Sequence, residues 1–123
     1  VKSYNNHTGV PLSLARMPRE TRFAVLEMGM NHAGEIAALT RMVRPHIALI
    51  TAIAPAHIEH LGSIEAIADA KGEIFEALEG PAVAVIPEDS EQRDRLVKAA
   101  RGKAEATVTF GRSADADVSA VHA

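Results

Sequence analysis

The sequence predicts an α/β fold: a mostly parallel sheet with helices on both faces. Val- and Ile-rich runs alternate with amphipathic helical patterns along the chain, as repeated βαβ units do. The runs are continuously apolar rather than alternating, as expected of strands buried on both sides.

Each element has its own local reason. A short amphipathic segment, "PLSLAR", precedes the first strand candidate, "FAVLEMG" (23–29). "GEIAALTRMV" follows as a helix with Ile36, Leu39 and Val43 on one face, stopped by Pro45. "IALITAI" (47–53) is the second strand candidate. Ser63 to Leu78 reads as a helix with Ser63 as its N-cap, Glu65 near its start and Gly80-Pro81 beyond it. "AVAVIP" is the third strand. "SEQRDRLVKAAR" is a helix capped by Asp89 or Ser90 and closed by Gly102, and "ATVTFG" is the fourth strand. "ADADVSAVHA" could begin another.

With 123 residues there is material for one domain. The formal charge of −3, three Phe and one Tyr leave no electrostatic or stacking footprint for nucleic acid. No apolar run reaches bilayer length and no signal-peptide pattern opens the chain, which fits a cytoplasmic location. Without cysteine there is neither a disulfide framework nor a thiolate metal site. The opening "VKSYNNHTGV" has no initiator Met and no strand start, and it reads as the interior of a longer polypeptide.

Ligands of open α/β sheets sit beyond the carboxyl ends of the strands. That rule selects Glu27, Asn31 and His32 after one strand, and His57, Glu59 and His60 after the next. One further residue is out of pattern. In the Ser63–Leu78 helix, Ile64, Ile67, Ala68, Ile74, Phe75 and Leu78 share a face, and Lys71 lies near its centre. A lysine there ordinarily snorkels to solvent or pairs with a carboxylate, and Glu27 could serve. The alternative is chemical: desolvation disfavours an ammonium, and a neutral amine can add carbon dioxide to become a carbamate. Beside Glu27 and His57 such a group would be a hard oxygen ligand suited to Mg²⁺.

The other candidates have plainer readings. His57 and His60 are three apart in a loop with no HExxH, which argues against zinc. His46 leads into a strand. "MGMNHAG" is an anion-binding loop or ordinary turn chemistry, and "SADAD" is a solvated turn.

Together, "NNHTGVPLSL", "LEMGMNHAGEI", "RPHIALITAIAPAHIEHLGS", "AKGEIF" and "TFGRSADADV" resemble the central, ATP-using domain of the Mur ligase family, in the family's order. The resemblance implies ATP and Mg²⁺ as cofactors. It places metal ligands at Glu27 and His57, and a carbamylated lysine at Lys71 that acts on the metal. Lys71 and His57 are then the catalytic residues. The asparagine near the phosphates and nucleotide sugar falls on Asn6, with Asn5 and Thr8 beside it, and Asn31 and His32 are assigned to substrate contact. "MGMNHAGEI" implies UDP-N-acetylmuramoyl-tripeptide and D-alanyl-D-alanine as substrates.

On this resemblance residues 1–123 are a partial central domain. The UDP-binding domain, the phosphate loop and the C-terminal domain lie elsewhere, and the segment alone is expected to be inactive. Uncovered sheet edges would make the isolated chain self-associate or lean on the remaining domains. Pro87, Ala52 and Ala54 depart from the family pattern, which keeps open a degenerate member. A small flavodoxin-like binding domain without catalysis is the alternative from another class.

Overall fold

A computed structural model of the chain describes residues 3–56 and 58–121. Helix α1 (Gly9–Ala15) and helix α2 (Glu35–Val43) come first. Strand β1 (Ile47–Leu49), the short helix α3 (Ile58–Leu61) and helix α4 (Ile64–Gly72) follow. After a single 3₁₀ turn, Glu73–Phe75, come strand β2 (Val83–Pro87), helix α5 (Arg93–Ala100), strand β3 (Ala106–Gly111) and the two-residue strand β4 (Val118–Ser119).

The four strands form one parallel sheet in the order β1-β2-β3-β4. Its register aligns Ala48 with Ala84 and Ile86 with Thr109, so residues of one parity point to the same side. On that side Ala48, Ile50, Ala84 and Ile86 meet Ala68, Phe75, Leu78, Leu96 and Ala100 in the main core. The small alanines let α4 and α5 approach the sheet closely. A second cluster of Met30, Ile36, Ile67 and Ala70 joins α2 and the loop before it to α4.

The parallel α/β sheet matches the expectation; the distribution of helices is narrower. Among the described residues the core is built on one face of the sheet. On the opposite face of β1, Ile47 is 64% and Leu49 48% exposed.

Most local signals read correctly. α2 ends where Pro45 requires, with the Arg44 N–H closing on the Thr40 carbonyl at 2.8 Å. Ser63 caps α4, its hydroxyl accepting the Ala66 N–H at 3.1 Å. The Ser63–Leu78 segment differs in detail, since the α-helix tightens after Gly72 into the 3₁₀ turn.

Two elements need correction. The expected strand over 23–29 forms no regular element and joins no ladder among the described residues. Its backbone bond there runs from the Gly29 N–H to the Asn5 carbonyl, 2.7 Å. Phe23 and Val25 stand 85% and 99% exposed. An apolar extended run becomes a strand only when a neighbour satisfies its backbone, and none of the described strands does. The helix expected from Ser90 begins at Arg93 instead. Asp89 does not cap it: the Asp89 carboxylate accepts the Arg112 N–H at 2.6 Å and the Ser113 N–H at 3.2 Å, tying β2 to the turn after β3.

Candidate functional site

Glu27 lies on the irregular segment 23–29, and its carboxylate is held from the N-terminal stretch. The Ser3 hydroxyl donates to Oε2 at 2.8 Å and the Asn5 amide to Oε1 at 3.1 Å. Gly29 makes this approach possible, because a Cβ there would lie 2.8 Å from the Asn5 amide nitrogen. Both donors favour the ionised carboxylate. They hold Glu27 below the ordinary range of a glutamate, the Ser3 hydroxyl contributing most.

That shift gives a direct prediction. A depressed carboxyl retains its favourable bonds above the unfolded value, roughly 4.3, and loses them as pH falls through the folded value. In the double variant Ser3→Ala/Asn5→Ala the Glu27 midpoint should rise towards an unperturbed glutamate, read by carboxyl-carbon NMR against pH. An unchanged midpoint would show that neither donor matters in solution.

Asn31 and His32 begin the turn into α2, and Glu35 organises both. Its Oε2 accepts the Asn31 N–H at 2.8 Å, and its Oε1 lies 3.2 Å from His32 Nδ1. The Asn31 N–H is the main reason Glu35 sits below the ordinary glutamate range. The His32 ring tilts against His60, centroids 5.2 Å apart, and His60 belongs to α3 rather than to the loop expected there.

Asn6 turns inward on its own backbone. Its Oδ1 accepts the Thr8 and Gly9 N–H groups at 3.1 and 2.8 Å, which orders the start of α1. Asn5, the neighbour, is the asparagine that reaches Glu27.

Lys71 is half-buried on α4, and its ammonium donates to the Ala52 carbonyl at 3.1 Å, just beyond β1. Among the described residues no carboxylate pairs with it, so the ion pair with Glu27 is not formed. Ala52 also lines a cavity of about 540 Å³ past the carboxyl ends of β1, β2 and β3, walled by Ile53, Ile64, Pro87, Asp89 and Phe110 among others. His57 lies outside the described residues.

Ser3, Glu35 and the Ala52 carbonyl were not picked out by the sequence. Glu35, four residues after Asn31, carried a readable spacing; Ser3, 24 residues from Glu27, carried none.

Among the described residues no three His, Cys, Asp or Glu side chains gather as a metal site. Mg²⁺ does not require such a cluster, since it keeps several waters and takes one or two carboxylates plus substrate phosphates rather than a full protein cage. Glu27 is exposed and held ionised, which is what a carboxylate offered to that ion requires.

The comparisons with known proteins agree with this architecture. UDP-N-acetylmuramoyl-tripeptide–D-alanyl-D-alanine ligase of Haemophilus influenzae is 49% identical over 84 residues, 68% of this chain and 18% of that protein. The enzyme of the same name from Bacillus subtilis is 47% identical over 83 residues, again 68% and 18%. A crystal structure of MurF from Acinetobacter baumannii superposes with a TM-score of 0.89 at 33% identity, covering 99% of this chain and 26% of that one. The chain thus spans about a fifth of the length of the curated relatives it matches. The Mur ligase middle domain matches residues 1–123, the whole of this chain, and the chain belongs to that family.

Proposed function

We propose that this domain is the ATP-using centre of a cytoplasmic ligase of peptidoglycan synthesis. The ligase joins D-alanyl-D-alanine to UDP-N-acetylmuramoyl-tripeptide. The observation that carries the reading is Lys71: a lysine on a core-facing stripe, held by a backbone carbonyl on the wall of a cavity at the sheet's carboxyl edge, without a carboxylate partner among the described residues. A purely structural lysine on such a stripe would be expected to pair with a carboxylate.

The reaction is amide formation through an acyl phosphate. The terminal phosphoryl group of ATP passes to the tripeptide carboxylate, releasing ADP. The amine of D-alanyl-D-alanine then attacks the acyl carbon and inorganic phosphate leaves. Bound Mg²⁺ would supply charge neutralisation between polyphosphate and carboxylate, which otherwise repel. Glu27 and His57 would hold it. The Lys71 amine, on adding carbon dioxide and losing a proton, becomes a carbamate that extends the anionic set. Asn31 and His32, fixed by Glu35, contact substrate, and Asn6 with Thr8 shapes the turn ahead of α1 on the nucleotide side. The phosphate loop and the domains that read the UDP group and the dipeptide belong to the rest of the ligase.

The test is ligation by the whole polypeptide carrying this domain, supplied with ATP, Mg²⁺ and both substrates. Phosphate release and amide product should depend on all four. ATP-independent product, or none with any dipeptide, would overturn the reading.

A further inference from the structure

Resting on that reading, we infer that Glu73 is a positioning residue, clamping the Asn31–His32 loop to the end of the helix that carries Lys71. Helix α2 has Gly34 at its N-cap, whose backbone is left-handed at φ 89° and which has no side chain to cap the helix. The cap comes from 39 residues away. Glu73 Oε1 accepts the Gly34 N–H at 2.7 Å and Oε2 accepts the Ala37 N–H at 3.0 Å. A carboxylate is suited to this place, since it satisfies two otherwise orphaned N–H groups at the positive end of the helix dipole.

The clamp is the first of three along one seam. Fully buried Thr40 donates its hydroxyl to the Ile74 carbonyl at 2.8 Å, and Arg41 pairs with Glu76 at 3.0 Å. These fix α2 against the 3₁₀ turn. Glu73 alone among them acts on the N-terminal side, where the loop bearing Asn31 and His32 enters the helix. It follows Lys71 by two residues. The two halves of the proposed site therefore do not move independently: a shift of the Lys71 helix end pulls the loop through Glu73. Removing a partner that orients functional groups from behind costs roughly 10- to 100-fold in metal affinity or activity.

The experiment uses the whole ligase polypeptide and compares Glu73→Ala, Glu73→Gln, Glu73→Asp and Thr40→Val. Wild type is measured first, and absence of Mg²⁺-dependent ligation there sinks the functional reading and this inference with it. If wild type is active, Glu73→Ala should raise the Mg²⁺ concentration for half-maximal rate about 10-fold. Glu73→Gln should fall between, and Glu73→Asp should recover part of the loss. Thr40→Val loosens the same seam away from the loop; it should lower the melting temperature and leave the Mg²⁺ requirement unchanged. Activity falling only in step with melting temperature in every variant, with no change in Mg²⁺ requirement, would make Glu73 a structural cap and overturn the inference. Should Glu73→Ala fail to fold, the Gln and Asp variants carry the same comparison.

Discussion

Replacing Lys71 by alanine is expected to lower ligase activity of the whole polypeptide by at least about 100-fold, the scale on which a preorganised charged group at a reacting centre matters. The variant should stay folded, because Lys71 is only half-buried and its hydrogen bond reaches a single carbonyl. Two further changes separate the candidate roles. Lys71→Arg keeps a cation that can still reach the Ala52 carbonyl, but a guanidinium does not form a carbamate at neutral pH. If the lysine acts as a carbamate, the arginine variant is as inactive as alanine. Added acetate should then restore part of the rate in Lys71→Ala by supplying a carboxylate in the vacated space. If the lysine acts as a cation, the arginine variant retains much of its activity and acetate does nothing. Full activity in Lys71→Ala would remove the residue from the mechanism.

The contrast between what was legible and what was not follows the range of the interactions. The α2 stop at Pro45, the Ser63 cap and the strands β2 and β3 are decided within a few residues, by ring sterics, a hydroxyl three residues from its donor and runs of β-branched side chains. Lys71 was legible because a charge broke a local period. The larger errors involve distant partners. Segment 23–29 has strand composition, yet a strand is defined by its neighbour, and no period in the sequence records a neighbour. Asp89 looked like a helix cap because it stands just ahead of one, while its carboxylate is used 23 and 24 residues away. The bonds from Ser3 and Asn5 to Glu27 and from Gly34 and Ala37 to Glu73 span 22 to 39 residues. The candidate residues of the proposed site were thus readable, and the polar contacts that hold them were not. The cavity beside Ala52 falls between the two cases: its position at the strand ends follows from the fold class, but its walls come from three separate strand ends and could not be assembled from spacing alone.

Phe75→Ala should be the most damaging substitution to the fold, costing about 3–5 kcal/mol against a total of roughly 5–15 kcal/mol for a domain. Phe75 is fully buried in the core cluster that also holds Ala48, Ile50, Ala84, Ile86 and Leu96, the cluster that joins the sheet to α5. The surrounding alanines have no side-chain length with which to fill the space left behind, which places the cost at the upper part of that range. Phe75→Leu keeps most of the volume and should lose about half as much or less. Phe23→Ala is the matched control: the same chemical change at an 85% exposed position should stay within about 0.5 kcal/mol. Urea unfolding of the three variants decides the matter, and a loss below about 1 kcal/mol for Phe75→Ala would mean that the core is not centred on the 3₁₀ turn. The expected loss reaches beyond stability. Phe75 closes the turn that begins at Glu73, directly after the helix bearing Lys71. The anchor of the hydrophobic core and the proposed reactive amine are thus about one helical turn apart. Loosening the first should lower the rate of the molecules that remain folded, beyond the fall in their number.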